Sequence, residues 1–421
     1  MLEPRVEKSP YAAPLRYSQL KDLKFVWEES PDSKGSGKKA GHDRVSATTF
    51  KENLSTNLDR IRADLKNRSY KFQPLKAFFI EKGNGKERVI CVPTVRDRLV
   101  QRLIAYHLIK KFDPKKGTQI DKFGVCNSVS FGIRGSEDSY IAAIDEALKR
   151  RSEHPWVLKT DIKAFFDAIT RETLIAKIKS KLDKKSSLIP LLEQVVHCEV
   201  NSKQWHLERV RLQAQGLKQD LGLRQGMPLS PLLSNFFLGE FDLAVSKAKL
   251  NIIRYADDII VFCDNEQECK AAEKLIKELL DKLHLEIPEL QSDNKGKTFI
   301  VSPNEAALFL GVELKKKKTG GYVKAIPQNS INKLFEKQNR YKDLDFCLEK
   351  GFGFPDVVSH FKRKVEGYQA SYKGTENLDS FVTDYKKQSE AVVEHLLTSI
   401  LGGKVVASLD AKKRNFLGLS A

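Results

Sequence analysis

Strand-like and helical stretches alternate along this 421-residue chain with no repeated βαβ unit, which predicts an α+β fold. Three observations carry that expectation. Gly83-Asn84-Gly85 separates strand-like segments at 76–80 and 88–92, a strong hairpin signal. Tyr255-Ala256-Asp257-Asp258 sits between Ile252-Ile253 and Ile259-Ile260-Val261-Phe262, a second hairpin pattern. Past Pro327 the chain turns helical, with Val357, Phe361, Val365, Tyr368 and Tyr372 on one stripe.

Residues 1–40 read as an irregular N-terminal extension with one helix near 17–28. Its end, Ser33-Lys34-Gly35-Ser36-Gly37-Lys38-Lys39, superficially suggests a phosphate loop, but the spacing fails and no apolar strand precedes it, so it reads as a linker. Phe50, Leu54, Leu58, Ile61 and Leu65 recur at three- and four-residue steps and predict a helix. The first hairpin follows, then a helix over 96–111, a Gly-containing stretch at 131–135 and a helix through Ala147. Trp156-Val157-Leu158 predicts a short strand running into Asp161, followed by a helix at 170–182 and a polar stretch. A helix after Pro231, the Asp-Asp hairpin, a helix at 266–283 and a hairpin-like region at 298–314 complete the middle. In the basic helical end, Phe381, Tyr385, Val392, Leu396 and Ile400 form another stripe, which reads as core rather than a base-stacking platform.

The 73 Lys and Arg against 55 Asp and Glu give a net charge of +18, and nucleic acid is the leading partner for such an excess. No apolar run is long enough to span a bilayer and the start lacks a signal-peptide core, so a cytoplasmic protein without membrane partners is expected. Cysteines stand singly at 91, 126, 198, 263, 269 and 347, without zinc-ligand spacing, and read as reduced core residues.

Acids at a hairpin turn are commonly just solvated, and Asp161 alone could equally cap a helix. Carboxylates from two adjacent strands at one sheet edge can instead hold two divalent cations for phosphoryl transfer. Mg²⁺, with its preference for hard oxygen ligands, suits such a set.

The ordered segments Lys159-Thr160-Asp161-Ile162-Lys163-Ala164-Phe165-Phe166-Asp167, Arg224-Gln225-Gly226-Met227-Pro228-Leu229-Ser230-Pro231 and Tyr255-Ala256-Asp257-Asp258 resemble the palm motifs of bacterial reverse transcriptases. Gly41-His42-Asp43-Arg44-Val45, Asn84-Gly85-Lys86-Glu87-Arg88, Pro93-Thr94-Val95-Arg96-Asp97-Arg98 and Phe131-Gly132-Ile133-Arg134-Gly135-Ser136 are similar to finger motifs of the group II intron type. Lys297-Thr298 and Phe309-Leu310-Gly311 are similar to the last palm motifs.

The resemblance implies a right-hand polymerase fold: fingers at 41–155, a palm with an antiparallel sheet at 156–315 and an α-helical thumb at 316–421. It implies that Asp161, Asp257 and Asp258 hold two Mg²⁺ ions, or Mn²⁺ as a substitute, with the Ile162 carbonyl as a further ligand. Lys86 and Arg88 would grip the triphosphate, with Arg96 and Arg98 as neighbouring alternatives. Phe166 would be a steric gate against the ribose 2′-hydroxyl, and Lys297 would assist the pyrophosphate. Gln225 and Gly226 would support the template–nucleotide pair, with Arg224 adding a charge nearby. Tyr255, Phe309, Leu310 and Gly311 would hold the primer end.

The intact Gln-Gly-x-Pro-x-Ser-Pro pattern differs from diversity-generating retroelements, and the retron signatures are not found. No Cys/His endonuclease module follows the thumb. The expectation is a stand-alone reverse transcriptase making cDNA from dNTPs on an RNA template, a structured noncoding RNA used in antiphage defence. The alternatives are a maturase-like splicing cofactor, and a template-independent or RNA-synthesising polymerase on the same palm.

Overall fold

A computed structural model describes residues 22–34, 39–83, 86–110, 120–121, 123, 127–132, 139–291 and 296–417. In chain order the elements begin α1 (Asp22–Glu28), α2 (Ala47–Glu52), α3 (Leu54–Lys66), β1 (Lys76–Gly83), β2 (Lys86–Val92), α4 (Val95–Leu108), β3 (Ile109–Lys110) and β4 (Ile120–Asp121). They continue with α5 (Ser139–Glu153), β5 (Trp156–Asp161), α6 (Phe165–Ala168), α7 (Arg171–Lys181), α8 (Leu188–Val196), α9 (Ser202–Ala214), α10 (Ser230–Phe237) and α11 (Gly239–Lys247). Next come β6 (Ile252–Tyr255), β7 (Asp258–Cys263), α12 (Glu266–Asp281), β8 (Leu290–Gln291), β9 (Thr298–Val301), β10 (Ala307–Phe309), β11 (Val312–Lys316) and β12 (Tyr322–Ala325). The last helices are α13 (Gln328–Asn339), α14 (Leu344–Glu349), α15 (Phe354–Ser371), α16 (Leu378–Leu401), α17 (Gly403–Ala407) and α18 (Ala411–Phe416).

The described residues fall into two compact units, Met1–Ser139 with Thr160–Val261 and Lys270–Phe299, and Tyr140–Lys159 with Phe262–Cys269 and Ile300–Ala421. A five-stranded sheet runs in the order β6-β7-β5-β9-β8. Its hairpin pair β6–β7 is antiparallel, and the pair at the other edge, β8–β9, is parallel.

In the first unit, β1 and β2 pair antiparallel from Lys76↔Val92 to Gly83↔Lys86, with a register irregularity between Glu81 and Gly83. The tip residues Asn84 and Gly85 lie outside the described residues, as do Ile133 to Ser136 of the Gly-containing motif and Cys126. Thr94 caps α4 by accepting from the Asp97 amide at 3.1 Å. The helix expected through Phe50 and Leu65 is two helices, interrupted at Asn53, where φ is −114°.

The stretch before residue 40 is less irregular than its composition suggests. Leu23 and Trp27 of α1 are buried, and Asp32 receives Arg98 Nη2 at 2.7 Å and Arg102 Nη1 at 2.6 Å. Burial alone would raise the Asp32 carboxyl, but the two guanidiniums hold it below its usual range.

Two expectations are corrected. The polar stretch after residue 182 contains α8 and α9. The run Leu188–Val196 is amphipathic, with Leu188, Leu191, Leu192 and Val195 buried and Pro190, Glu193 and Gln194 on the less buried face, but it is short and carries a proline in its first turn, which hides the helix signal. The region 298–314 is not one hairpin: β9 pairs with β8, while β10, β11 and β12 form their own three-stranded antiparallel sheet. The turn through Ser302 and Glu305 ends β9, and strand partners are chosen by contacts that local sequence does not encode.

The second unit holds the helical end. Phe361, Val392 and Leu396 centre one buried cluster, and Phe381, Val382 and Tyr385 another. Both aromatic stripes are therefore core, although Ile400 is exposed. In the same unit the buried Arg151 donates to the carbonyls of Leu314, Ser302 and Glu305 at 3.0, 3.2 and 2.5 Å. Among the described residues no helix is long and apolar enough to cross a membrane.

Candidate active site

Asp161 is the last residue of β5, and the chain leaves the strand beside the β6–β7 turn. The Ile162 amide donates to the Asp257 carbonyl at 3.1 Å, so the end of β5 and the Asp257-Asp258 turn are neighbours. Tyr255 pairs with Asp258 across the hairpin, leaving Ala256 and Asp257 as the turn. Ala256 has φ +56°, a left-handed conformation that disfavours a side chain, so the turn is held by its surroundings.

Those surroundings centre on Arg254, which is fully buried. Its guanidinium donates to both carboxylate oxygens of Asp242 on α11, at 2.7 and 2.5 Å. Nη1 also donates to Asn235 Oδ1 on α10 at 2.8 Å and to the Ala256 carbonyl at 2.9 Å. Ser130 Oγ reaches the same Asn235 oxygen at 3.0 Å. The Arg254 backbone pairs with Val129 and Phe131 on its other edge. Sequence reading missed this network; the available signal was a charged residue within an otherwise apolar strand, which requires a buried partner.

Lys297 Nζ lies 2.5 Å from Asp161 Oδ2 and is itself exposed, which places its ammonium on the carboxylate. Asp161 Oδ1 is buried and has no hydrogen-bond partner among the described residues. Thr160 and Thr298 join β5 to β9 through buried hydroxyls 2.7 Å apart. Among the described residues no three His, Cys, Asp or Glu side chains form a ready-made metal cluster. The oxygen-only donors and the orphaned Asp161 oxygen nevertheless fit Mg²⁺, which commonly takes one or two carboxylates and completes its shell with water and substrate phosphates.

A second group of expected residues packs around α6. Phe165 is buried while Phe166 is partly exposed, so of the two rings Phe166 is the one open to a substrate. The Phe166 carbonyl accepts from the Leu223 amide at 2.7 Å, fastening α6 to the segment before Gln225. The Gln225 carbonyl accepts from the Cys91 amide at 2.7 Å, which ties this loop to β2. Gly226 has φ +107°, and a Cβ there would lie 2.7 Å from the Cys91 carbonyl oxygen. The close approach that requires glycine is thus to β2. Gly226→Ala is expected to destabilise the fold by about 1–3 kcal/mol, measurable by denaturant unfolding.

Arg224 differs from its expected role. It is buried and donates to Glu199 at 2.7 to 3.0 Å, so its charge is neutralised internally. Arg171 shares Glu199 at 2.7 Å and donates to the Gly222 carbonyl at 2.9 Å. Arg98 is likewise unsuited to a triphosphate, being buried on Asp32, and Arg96 pairs with Asp64 at 2.6 Å while stacking on Tyr70. Arg88 is exposed on β2 with no carboxylate partner among the described residues. For Lys86 only the backbone position, opposite Gly83, is described.

Phe309, Leu310 and Gly311 belong to the second unit. Phe309 pairs with Val312, and Leu310 and Gly311 form the turn with φ of +50° and +77°. The Tyr140 hydroxyl donates to the Leu310 carbonyl, and Lys159 lies over the Phe309 ring at 5.3 Å. Cys91 and Cys198 are buried, which pushes both thiols up to about 12 and keeps them protonated at neutral pH.

Helices packed on a sheet whose hairpin sets two acids beside a third at a strand end give the right-hand polymerase architecture. Residues 80–314, more than half the chain, match the family model described as "Reverse transcriptase (RNA-dependent DNA polymerase)", and the chain belongs to that family. It is 28% identical over 250 residues to the group II intron-encoded protein LtrA of Lactococcus lactis subsp. cremoris, covering 58% of this chain and 37% of LtrA. It is 26% identical over 208 residues to protein YkfC of Escherichia coli (strain K12), covering 48% of this chain and 49% of that protein. The chain thus spans about half or less of these relatives' length. Among solved structures, a chain of a partial Cas6-RT-Cas1–Cas2 complex aligns at 23% identity and a TM-score of 0.34, covering 66% of this chain and 42% of that one.

Proposed function

We propose that this chain is an RNA-directed DNA polymerase that extends a primer with dNTPs on an RNA template. The observation that carries the reading is the Ile162–Asp257 hydrogen bond of 3.1 Å, which sets Asp161 beside the Asp257-Asp258 turn. In this reading Asp161, Asp257 and Asp258, with the Ile162 carbonyl, hold two Mg²⁺ ions, for which Mn²⁺ can substitute. When bound, the ions supply charge stabilisation for the attacking 3′-oxygen and the leaving phosphate oxygen.

The remaining roles fall to the chain's own groups. Lys297, resting on Asp161, keeps an ammonium where a leaving pyrophosphate needs a counter-charge or a proton. Arg88 is available to a triphosphate, with Lys86 on the same strand. Gln225 and Gly226, pinned to β2, present a fixed surface to the template–nucleotide pair; Tyr255 in the first unit and, separately, the Phe309-Leu310-Gly311 turn in the second are each assigned to primer contact. Phe166 crowds the ribose 2′-hydroxyl. Phe166→Ala is expected to raise rNTP incorporation relative to dNTP by roughly ten- to a hundredfold in a primer-extension assay.

The domain roles are an N-terminal extension at 1–40, fingers with part of the palm at 41–155, palm at 156–315 and thumb at 316–421, and a cytoplasmic setting fits the composition. A dedicated structured noncoding RNA and a part in antiphage defence form the narrower reading, supported by the intact palm motifs and the net charge of +18. Extension of a DNA primer on an RNA template with dNTPs tests the activity; strict rNTP use would overturn it. Sequencing copurified nucleic acid tests the template: one abundant RNA with matching cDNA supports the dedicated RNA, and random RNA without cDNA refutes it.

A further inference from the structure

The first unit carries a cavity of about 520 Å³ far along the chain from the acidic turn, between the end of α3 and the start of α8. Its size falls within the roughly 300–1,000 Å³ of ligand pockets. Three cations edge it: Arg68, Lys184 and Lys185, all exposed, with no carboxylate partner among the described residues. Leu65, Ile189 and Leu191 supply an apolar wall. The combination of an apolar wall with clustered cations that have no carboxylate partner among the described residues matches a nucleotide, whose base is apolar on its faces and whose phosphate is anionic.

The floor is rigid. Tyr70 is buried, its hydroxyl donating to Asp97 at 2.7 Å, and Arg96 stacks on its ring at 4.4 Å. Gln194 is fixed by accepting from the Phe72 amide at 3.2 Å and donating to the Tyr70 carbonyl at 3.3 Å.

The end of α3 places Arg68 at the rim of the cavity. Arg68 follows the Asn67 C-cap of α3 with φ +58°, and the Ser69 amide closes the helix end on the Asp64 carbonyl at 2.9 Å. Glycine or asparagine is the favoured residue at such a left-handed position. The chain instead holds an arginine there under backbone strain, with its side chain at the cavity.

We infer that this cavity takes one nucleotide unit of an RNA, its base against Leu65, Ile189 and Leu191 and its phosphate on Arg68, Lys184 and Lys185. The inference extends the proposed use of an RNA template to a second RNA contact outside the acidic site. The same nucleotide chemistry could come from a free dNTP, and the experiment separates the two sources.

The test compares the full chain with Arg68→Gly/Lys184→Ala/Lys185→Ala. Glycine suits φ +58°, so this variant is expected to unfold no earlier than the parent. Binding of a fluorescent RNA hairpin with a single-stranded flank is measured by anisotropy across a salt series, beside dNTP KM on a short primer–template. The expected result is at least a fivefold loss of RNA affinity, with a salt slope shallower by about one to two and dNTP KM unchanged. RNA affinity within twofold of the parent overturns the assignment. A raised dNTP KM with unchanged RNA affinity also overturns it, in favour of a free nucleotide. If the parent extends no primer yet the variant loses RNA affinity, the cavity assignment stands and the polymerase reading falls.

Discussion

Asp161→Asn is expected to lower DNA synthesis on an RNA template by about a thousandfold, since the loss of several kcal/mol of charge stabilisation costs about tenfold per 1.4 kcal/mol. The substitution keeps the shape of the side chain and removes its charge. Among the described residues Asp161 Oδ1 is buried without a partner, and a carboxylate oxygen in that state is poised for a cation. The folded state should tolerate the change. Among the described residues the substitution weakens the ion pair with Lys297, which is 68% exposed, and a pair of that kind contributes at most about 1 kcal/mol. Single-turnover primer extension, read beside RNA affinity and thermal unfolding, checks the prediction. Activity within tenfold of the parent would remove Asp161 from the proposed site. The pair Asp257→Ala with Asp258→Ala separates polymerase from maturase-like use, because a splicing cofactor would keep its biological effect without DNA synthesis.

Arg254→Met should act through stability as well as geometry. Removing the guanidinium leaves the buried Asp242 carboxylate with the Asn127 side-chain amide, at 3.0 Å, as a remaining donor. Stranding a buried charge in this way typically costs about 3–5 kcal/mol. The melting temperature is expected to fall by roughly 10 °C. Arg254→Lys should recover only part of this, because an ammonium cannot reproduce the two-pronged grip on Asp242. Combining Arg254→Met with Asp242→Leu removes both charges and should restore most of the stability. It does not restore the 2.9 Å hydrogen bond to the Ala256 carbonyl, so DNA synthesis should stay low. Recovery of synthesis together with stability would show that Arg254 serves the fold and not the turn.

Legibility in the sequence tracks how local each signal is. Asp161 at a strand end and Asp257-Asp258 in a hairpin turn were readable because strand, turn and polarity are all set within a few residues. The partners of Arg254 are 12 and 19 residues away on two helices, and nothing near Arg254 names them. The same limit explains Arg224 and Arg98. Each reads as a free cation in its motif, and each is neutralised by a distant acid, Glu199 or Asp32. The helix α8 escaped because its amphipathic run is short and holds Pro190 in its first turn, and the fate of 298–314 because β9 takes β8 as its neighbour rather than the strand that follows it.

The Asp32–Arg98 pair bears on how this protein can be shortened. The finger motifs begin near Gly41, which invites trimming at that point. Such a cut would take away a carboxylate that neutralises two arginines of α4, one of them fully buried, together with the indole of Trp27. A fragment that keeps these contacts therefore has its left border ahead of α1, and an expression design or an affinity tag belongs upstream of Asp22.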